Sequence, residues 1–242
     1  MLLGAWYLTP LALRIYLTRK AQRVCTSRGL IALTFDDGPS DDITPQLLDM
    51  LDEFDAKATF FMTGKSILAE SEIAIEVHSR GHLVAVHSMN HLNAYRCSPW
   101  RGISDVVEGI RTLRTLGIHT SYFRPPFGKT TLGGVIASTL YGCRPIWWTH
   151  FAGDTGRVPG RDPSLSTIPL RSNKVFRPPS ADPSDHEEWI EKLSNSGGVV
   201  LLHDGPRSDE RYRDLTLAVT RKIIQRSQAK GKQMVTLSSL SL

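Results

Sequence analysis

The sequence predicts an α/β fold, a parallel sheet or barrel of about seven strands, each followed by a helix. Three observations predict it. From Gly29 onward, short continuous apolar runs alternate with longer stretches whose apolar residues recur at helical spacing. The chain has 242 residues, a normal length for one α/β barrel. Residues able to do chemistry fall at or near the carboxyl ends of the expected strands, which in a parallel barrel converge on one face.

The elements follow in order. Residues 30–35 read as a buried strand. Residues 43–54 read as a helix, with Ile43, Leu47, Leu48, Leu51 and Phe54 on its apolar side. A strand at 57–62 and a helix at 67–79 come next. A strand at 83–87 then precedes a helix at 103–116, which Gly117 stops. Residues 122–124 form a short strand before a Pro-Pro turn. Residues 132–140 are helical and 145–149 strand-like. A helix at 185–193 takes Ser184 or Asp185 as its N-cap. Residues 199–203 make a buried strand, 215–226 a helix and 234–240 a last strand. Residues 155–183 stand apart, with six of the fourteen prolines and little periodicity. A stretch of that kind is a lid, a binding loop or a disordered insert.

Hydrophobic residues at 40% and charged residues at 22% place the chain among soluble globular proteins and exclude disordered or fibrous classes. The formal net charge of +5 is spread without a dense Lys/Arg block, so no nucleic-acid partner is expected. Cys25, Cys97 and Cys143 make neither a disulfide framework nor a Cys-x-x-Cys zinc site. Free thiols and a single Cys97–Cys143 bridge both fit.

Residues 1–27 form an apolar and basic N-terminal segment. Residues 1–13 are apolar, and Arg14, Arg19, Lys20 and Arg23 follow. The run is shorter than the roughly 20 residues of a membrane span. It also lacks the leading positive charge of a secretory signal. An interfacial anchor, the remnant of a longer membrane segment and a helix packed on the domain all fit. Peripheral membrane contact, with a place at the membrane or cell envelope, is the favoured expectation; a cytoplasmic place is the alternative. Residues 28–242 form the second unit, and the oligomeric state leaves no signal.

Asp36 and Asp37 end the first strand within Thr34-Phe35-Asp36-Asp37-Gly38-Pro39. Adjacent carboxylates repel, and one pKa rises unless a cation intervenes. A divalent metal on one of them leaves the other free as a base. Gly38 and Pro39 supply the turn that holds both at the rim. His87-Ser88-Met89-Asn90-His91 puts two imidazoles at i and i+4, on one side if the segment is a helical turn. With Asp37 they complete one carboxylate and two imidazoles, a donor set that leaves coordination open for water and substrate. Arg124 ends the fourth strand, Asp154 follows the fifth, and His203 and Asp204 end the sixth. His78 and His82 lie outside this pattern and read as structural.

These residues resemble the polysaccharide deacetylases, carbohydrate esterase family four, also called the NodB homology domain. The likeness covers residues 29–242. The family's first motif matches Thr34 to Pro39, its second His87 to His91, its third Arg124-Pro125-Pro126-Phe127, and its fifth Leu201-Leu202-His203. The fourth departs: an Asp-x-x-Asp-Trp pattern is here Phe151-Ala152-Gly153-Asp154-Thr155. Asp154 keeps the second acid. The groove-walling tryptophan is absent, with Trp147 and Trp148 nearby.

The resemblance implies a distorted (β/α) barrel holding one divalent metal on Asp37, His87 and His91. Zinc is expected, with cobalt, nickel and manganese as alternatives. It implies Asp36 as general base, Arg124 as its orienting partner and His203 as general acid paired with Asp154. The Phe127 backbone N–H would be an oxyanion donor. Leu201 would line the acetyl pocket, with Pro126 and Trp148 as further substrate contacts. The expected activity is hydrolysis of N-acetyl groups on N-acetylglucosamine-type residues of an acetylated glycan. An O-acetyl ester or other C–N bond as target, and an inactive carbohydrate-binding protein, are the alternatives.

Overall fold

The computed structural model describes residues 2–155, 182–206 and 210–242. Eight strands form one parallel sheet: β1 (Leu30–Asp36), β2 (Ala58–Met62), β3 (Leu83–Val86), β4 (Tyr122–Phe123), β5 (Arg144–Pro145), β6 (His150–Phe151), β7 (Gly198–His203) and β8 (Gln233–Met234). Seven of them run in the order β5-β4-β3-β2-β1-β7-β6, and β8 pairs with the start of β1. The helices are α1 (Leu2–Arg28), α2 (Thr44–Glu53), α3 (Gly64–Ala69), α4 (Ser71–Ser79), α5 (Pro99–Thr115), α6 (Leu132–Leu140), α7 (Glu187–Ser196) and α8 (Glu210–Gln228). The sheet curls into a distorted (β/α) barrel with no ladder between β5 and β6 among the described residues.

The period-2 alternation of each strand divides the core in two. Ile31, Leu33 and Phe35 of β1 join Phe60, Val84, Val86, Val200 and Leu202 beneath the helices. Leu30 and Ala32 join Phe61, Ala85 and Val199 on the opposite face, inside the barrel. Thr34 and Asp36 continue that inner row towards the carboxyl end of β1, both buried. The interior is therefore apolar at one end and polar at the other, which is where the site lies.

The N-terminal segment is helical. Ala21 and Cys25 of α1 are fully buried in the inner cluster, and α1 packs on β7, α6 and β1. No helix among the described residues is long and apolar enough to cross a membrane. All three cysteines are free thiols.

Several expected elements change shape. The helix at 67–79 is two helices broken at Glu70 (φ −129°), because α3 packs on α5 while α4 packs on β3. The strand at 145–149 is not one strand. Pro145 pairs with Phe123 at one edge of the sheet, whereas Thr149 donates to Val199 O and His150 pairs with Val200 at the other. Residues 146–149 thus cross the gap in the barrel, with the Trp147 indole N–H donating to Gly128 O at 2.9 Å. The helix expected at 185–193 begins with a 3-10 turn, Pro183–His186, and its cap is Asp182, which accepts from Ser184 N at 2.8 Å. The last strand shrinks to β8 followed by a 3-10 turn, Leu237–Leu240. Of the proline-rich stretch, residues 156–181 lie outside the described residues.

Phe60 is fully buried and stacks on Phe35 at 5.0 Å between centroids. Phe60→Ala is expected to cost about 3–5 kcal/mol in chemical denaturation. Trp100 is 80% exposed, and Trp100→Ala should stay within about 0.5 kcal/mol of the parent.

Candidate active site and metal centre

Four strand ends deliver the site. At β1, Asp36 is the last strand residue, and Asp37 turns the chain with φ 77°. Glycine is required next: a Cβ on Gly38 would lie 2.3 Å from an Asp204 carboxylate oxygen. Thr44 in turn donates to that carboxylate at 2.8 Å, and Ser40 Oγ donates to Asp204 O at 2.9 Å. The turn carrying both acids is thus clasped from the end of β7.

After β3, His87 and His91 do not lie on a helical turn, as their spacing suggested. The segment is irregular, with positive φ at Ser88 (65°) and His91 (56°). The two rings nonetheless meet, with centroids 4.9 Å apart. His91 Nε2 lies 3.2 Å and His87 Nε2 3.5 Å from Asp37 Oδ1. Donor atoms of Asp37, His87 and His91 fall within 4.8 Å of one another.

The donor set fits a cation. Asp37 Oδ1 is a buried oxygen with no hydrogen-bond partner, although buried polar atoms are normally paired. His87 Nδ1 meets Arg124 O at 2.8 Å. A carbonyl only accepts, so the proton sits on Nδ1 and the Nε2 lone pair faces Asp37. Burial first, then the neighbouring His91, lowers the His87 pKa to about 3. The ring is therefore neutral, the form that binds metal.

Beside this pocket stands a buried ion pair. Arg124 follows β4 and is fully enclosed in the barrel. Its Nη1 donates to Asp36 Oδ1 and to Thr34 Oγ1, each at 2.7 Å. The Thr34 hydroxyl in turn donates a hydrogen bond to Val200 O. The guanidinium lies 4.0 Å over the Phe61 ring, which favours the cation where Nε and Nη2 have no acceptor. Burial pushes the Asp36 pKa up, against the pull of Arg124 and His203. The second oxygen, Oδ2, faces His87 Nε2 at 3.6 Å.

His203 ends β7 opposite Asp36 in register. Asp154 grips it twice, with Oδ1 at 2.9 Å from Nδ1 and Oδ2 accepting His203 N at 2.8 Å. Burial alone would lower the His203 pKa; the charge and hydrogen bond of Asp154 outweigh it, and the net shift is upward. Phe151, where the fourth motif departs, packs edge-on to the His203 ring at 6.0 Å. Thr216 of α8 donates to Asp154 Oδ2 at 2.8 Å. Neither Thr216 nor the hydrogen bonds of Thr34 were singled out from sequence. Thr216 sits on an ordinary amphipathic helix and carries no signal, while Thr34 was visible only as part of its motif.

The remaining expected residues surround this core. Phe127 has φ 56° in a 3-10 turn, Pro126–Gly128, and its ring meets His91 at 4.5 Å. Pro126 is buried. Leu201 is 4% exposed and shares the inner face of β7 with His203. Trp148 lies against Gly128, with the Arg14 guanidinium at 5.3 Å and that of Arg124 at 5.8 Å. His82 is buried away from the site, accepting from Ala58 N at 3.3 Å.

A family model described as Polysaccharide deacetylase matches residues 23–139. The chain is 30% identical over 211 residues to a peptidoglycan-N-acetylglucosamine deacetylase of Bacillus cereus, covering 87% of each. It is 31% identical over 253 residues to a chitin deacetylase of Colletotrichum lindemuthianum, covering 98% of this chain and 89% of that one. Among solved structures, a family 4 carbohydrate esterase from Streptomyces lividans superposes with TM-score 0.67 at 24% identity, over 86% of this chain and 93% of that one. A CE4 family pseudoenzyme from Bacillus anthracis gives TM-score 0.70 at 18% identity, over 89% and 66%. Both likenesses show the shared fold. On the sequence relatives, the shared fold and the assembled motifs, this chain belongs to the polysaccharide deacetylase family.

Proposed function

We propose that the chain hydrolyses N-acetyl groups on N-acetylglucosamine-type residues of a poly- or oligosaccharide, releasing acetate. One observation carries the reading. A three-donor metal pocket is flanked by an arginine-held carboxylate on one side and an aspartate-held imidazole on the other. Hydrolysis of an amide needs those three functions together: an electrophile for the carbonyl, a base for water and an acid for the amine. The relatives named for peptidoglycan and chitin deacetylation support the glycan.

Asp37, His87 and His91 would hold the ion, and zinc suits one carboxylate with two imidazoles. Bound there, an ion would supply Lewis acidity for the acetyl carbonyl and for water. Asp36 takes the proton from water. Its Oδ1 is committed to Arg124, which leaves Oδ2 as the basic oxygen. Arg124 orients the carboxylate and opposes the burial that raises its pKa. His203, held as imidazolium by Asp154, gives a proton to the leaving nitrogen. The Phe127 N–H contributes to stabilising the oxyanion. Leu201 lines the pocket for the acetyl methyl, and Pro126 and Trp148 contact the sugar.

Purified protein should release acetate from chitooligosaccharides, lose that activity to a strong chelator, and regain it with zinc or cobalt. Parallel assays on O-acetylated xylo-oligosaccharides separate the amidase from an esterase. Activity untouched by chelation would reject the mechanism.

Asp36→Asn should lower kcat/KM by about 10²–10⁴. A variant as active as the parent would remove Asp36 from the role of base.

The pH profile tests the acid. His203 must carry its proton, and against the burial that would lower its pKa Asp154 raises it, so the alkaline limb of kcat/KM lies on the high side of the ordinary histidine value. Asp154→Asn removes the charge that raises it and leaves the burial that lowers it. The limb is expected to move to lower pH; an unmoved limb would assign it to another group.

A further inference from the structure

We infer that Asp105, on α5, is a positioning residue that fixes His91 by clasping the loop on which it sits. The inference rests on reading Asp37, His87 and His91 as metal ligands. Asp37 and His87 have support of their own. Asp37 N donates to Phe61 O at 3.2 Å, and His87 leaves a buried strand with its Nδ1 on Arg124 O. His91 lies four residues further on, in irregular backbone with positive φ at Ser88 and at His91 itself. Such conformations cost free energy in non-glycine residues and persist only where the surroundings impose them.

Ser88 Oγ accepts from His91 N at 3.1 Å, and Gly64 N and Lys65 N donate to Ser88 O and Met89 O, but the residues flanking His91 are held by one stripe of α5. Asp105 is 3% exposed. Its Oδ1 accepts from Asn90 N and Asn90 Nδ2, both at 2.9 Å, and its Oδ2 from Leu92 N at 3.3 Å. The carboxylate therefore grips the residues immediately before and after His91. The Asp105 backbone carbonyl accepts from Met89 N at 2.8 Å. One turn on, Gly109 lets the helix approach so closely that a Cβ there would lie 2.4 Å from the Ser88 carbonyl carbon. Positions 105 and 109 are one turn apart on a single face.

The electrostatics point the same way. A buried carboxylate is costly unless hydrogen-bonded, and here the loop itself supplies the donors to both oxygens. Burial of Asp105 and the shape of the loop are mutually dependent. A support of this kind beyond the ligands commonly accounts for about 10–100-fold in metal affinity.

The test reads metal binding, not turnover. Metal-stripped parent and Asp105→Asn protein are titrated with Zn²⁺ or Co²⁺ against a chromophoric chelator. The variant should bind about 10–100-fold more weakly while keeping the parent's far-UV circular dichroism. Asn90→Ala, which deletes one of the three bonds and leaves the carboxylate in place, should show a smaller loss in the same direction. A folded Asp105→Asn protein with parental affinity overturns the inference. If that variant does not fold, parental affinity in Asn90→Ala overturns it. A parent that binds neither ion overturns the metal reading itself, an outcome seen without any variant.

Discussion

A guanidinium enclosed in a parallel barrel is the constraint on which the rest of this structure depends. Arg124 is fully buried, and taking its charge out of water is expensive. Three neighbours meet that cost: the Asp36 carboxylate, the Thr34 hydroxyl and the face of Phe61. Two of them belong to the inner row of β1 and the third to the inner row of β2. Removing either partner of the pair would leave a lone charge inside the barrel, a change that typically costs about 3–5 kcal/mol. The polar half of the interior is therefore structural and chemical at once. The same bond that makes the barrel tolerate Arg124 also sets which Asp36 oxygen faces the pocket.

Two histidines on this rim show how local partners set opposite charge states in one residue type. His87 meets a backbone carbonyl and burial, and it is neutral. His203 meets a buried carboxylate that holds both its ring and its backbone N–H, and it is driven towards imidazolium. Neither state is a property of the ring. Thr216, reaching in from α8, steadies the carboxylate that makes the difference.

Much of the fold was legible because its signals are local. The apolar run of β1, the helical spacing of α2 and the continuous apolar β7 each specify an element without reference to the remainder of the chain. The acids and imidazoles were legible because they sit at strand ends in short motifs. What was not legible was tertiary. The His87 and His91 rings lie together, but not on the helical turn that their spacing suggested, since the loop is shaped in part by Asp105 and Gly109 from another element. The break at Glu70 arises from two helices docking on different neighbours, and no propensity records that. The split at 146–149 arises because the chain must step from one sheet edge to the other.

That step has a consequence for the girth of the barrel. A fully laddered barrel has its circumference set by strand number and stagger, so its radius changes only in discrete jumps. Among the described residues one sector is spanned by residues 146–149 without a ladder, and there the Trp147 indole N–H donates to Gly128 O while Trp148 lies against Gly128. Trading an indole for a smaller ring would loosen the packing of this seam and leave every main-chain bond of the sheet in place, so girth and ladder are separable here in a way that a closed barrel forbids.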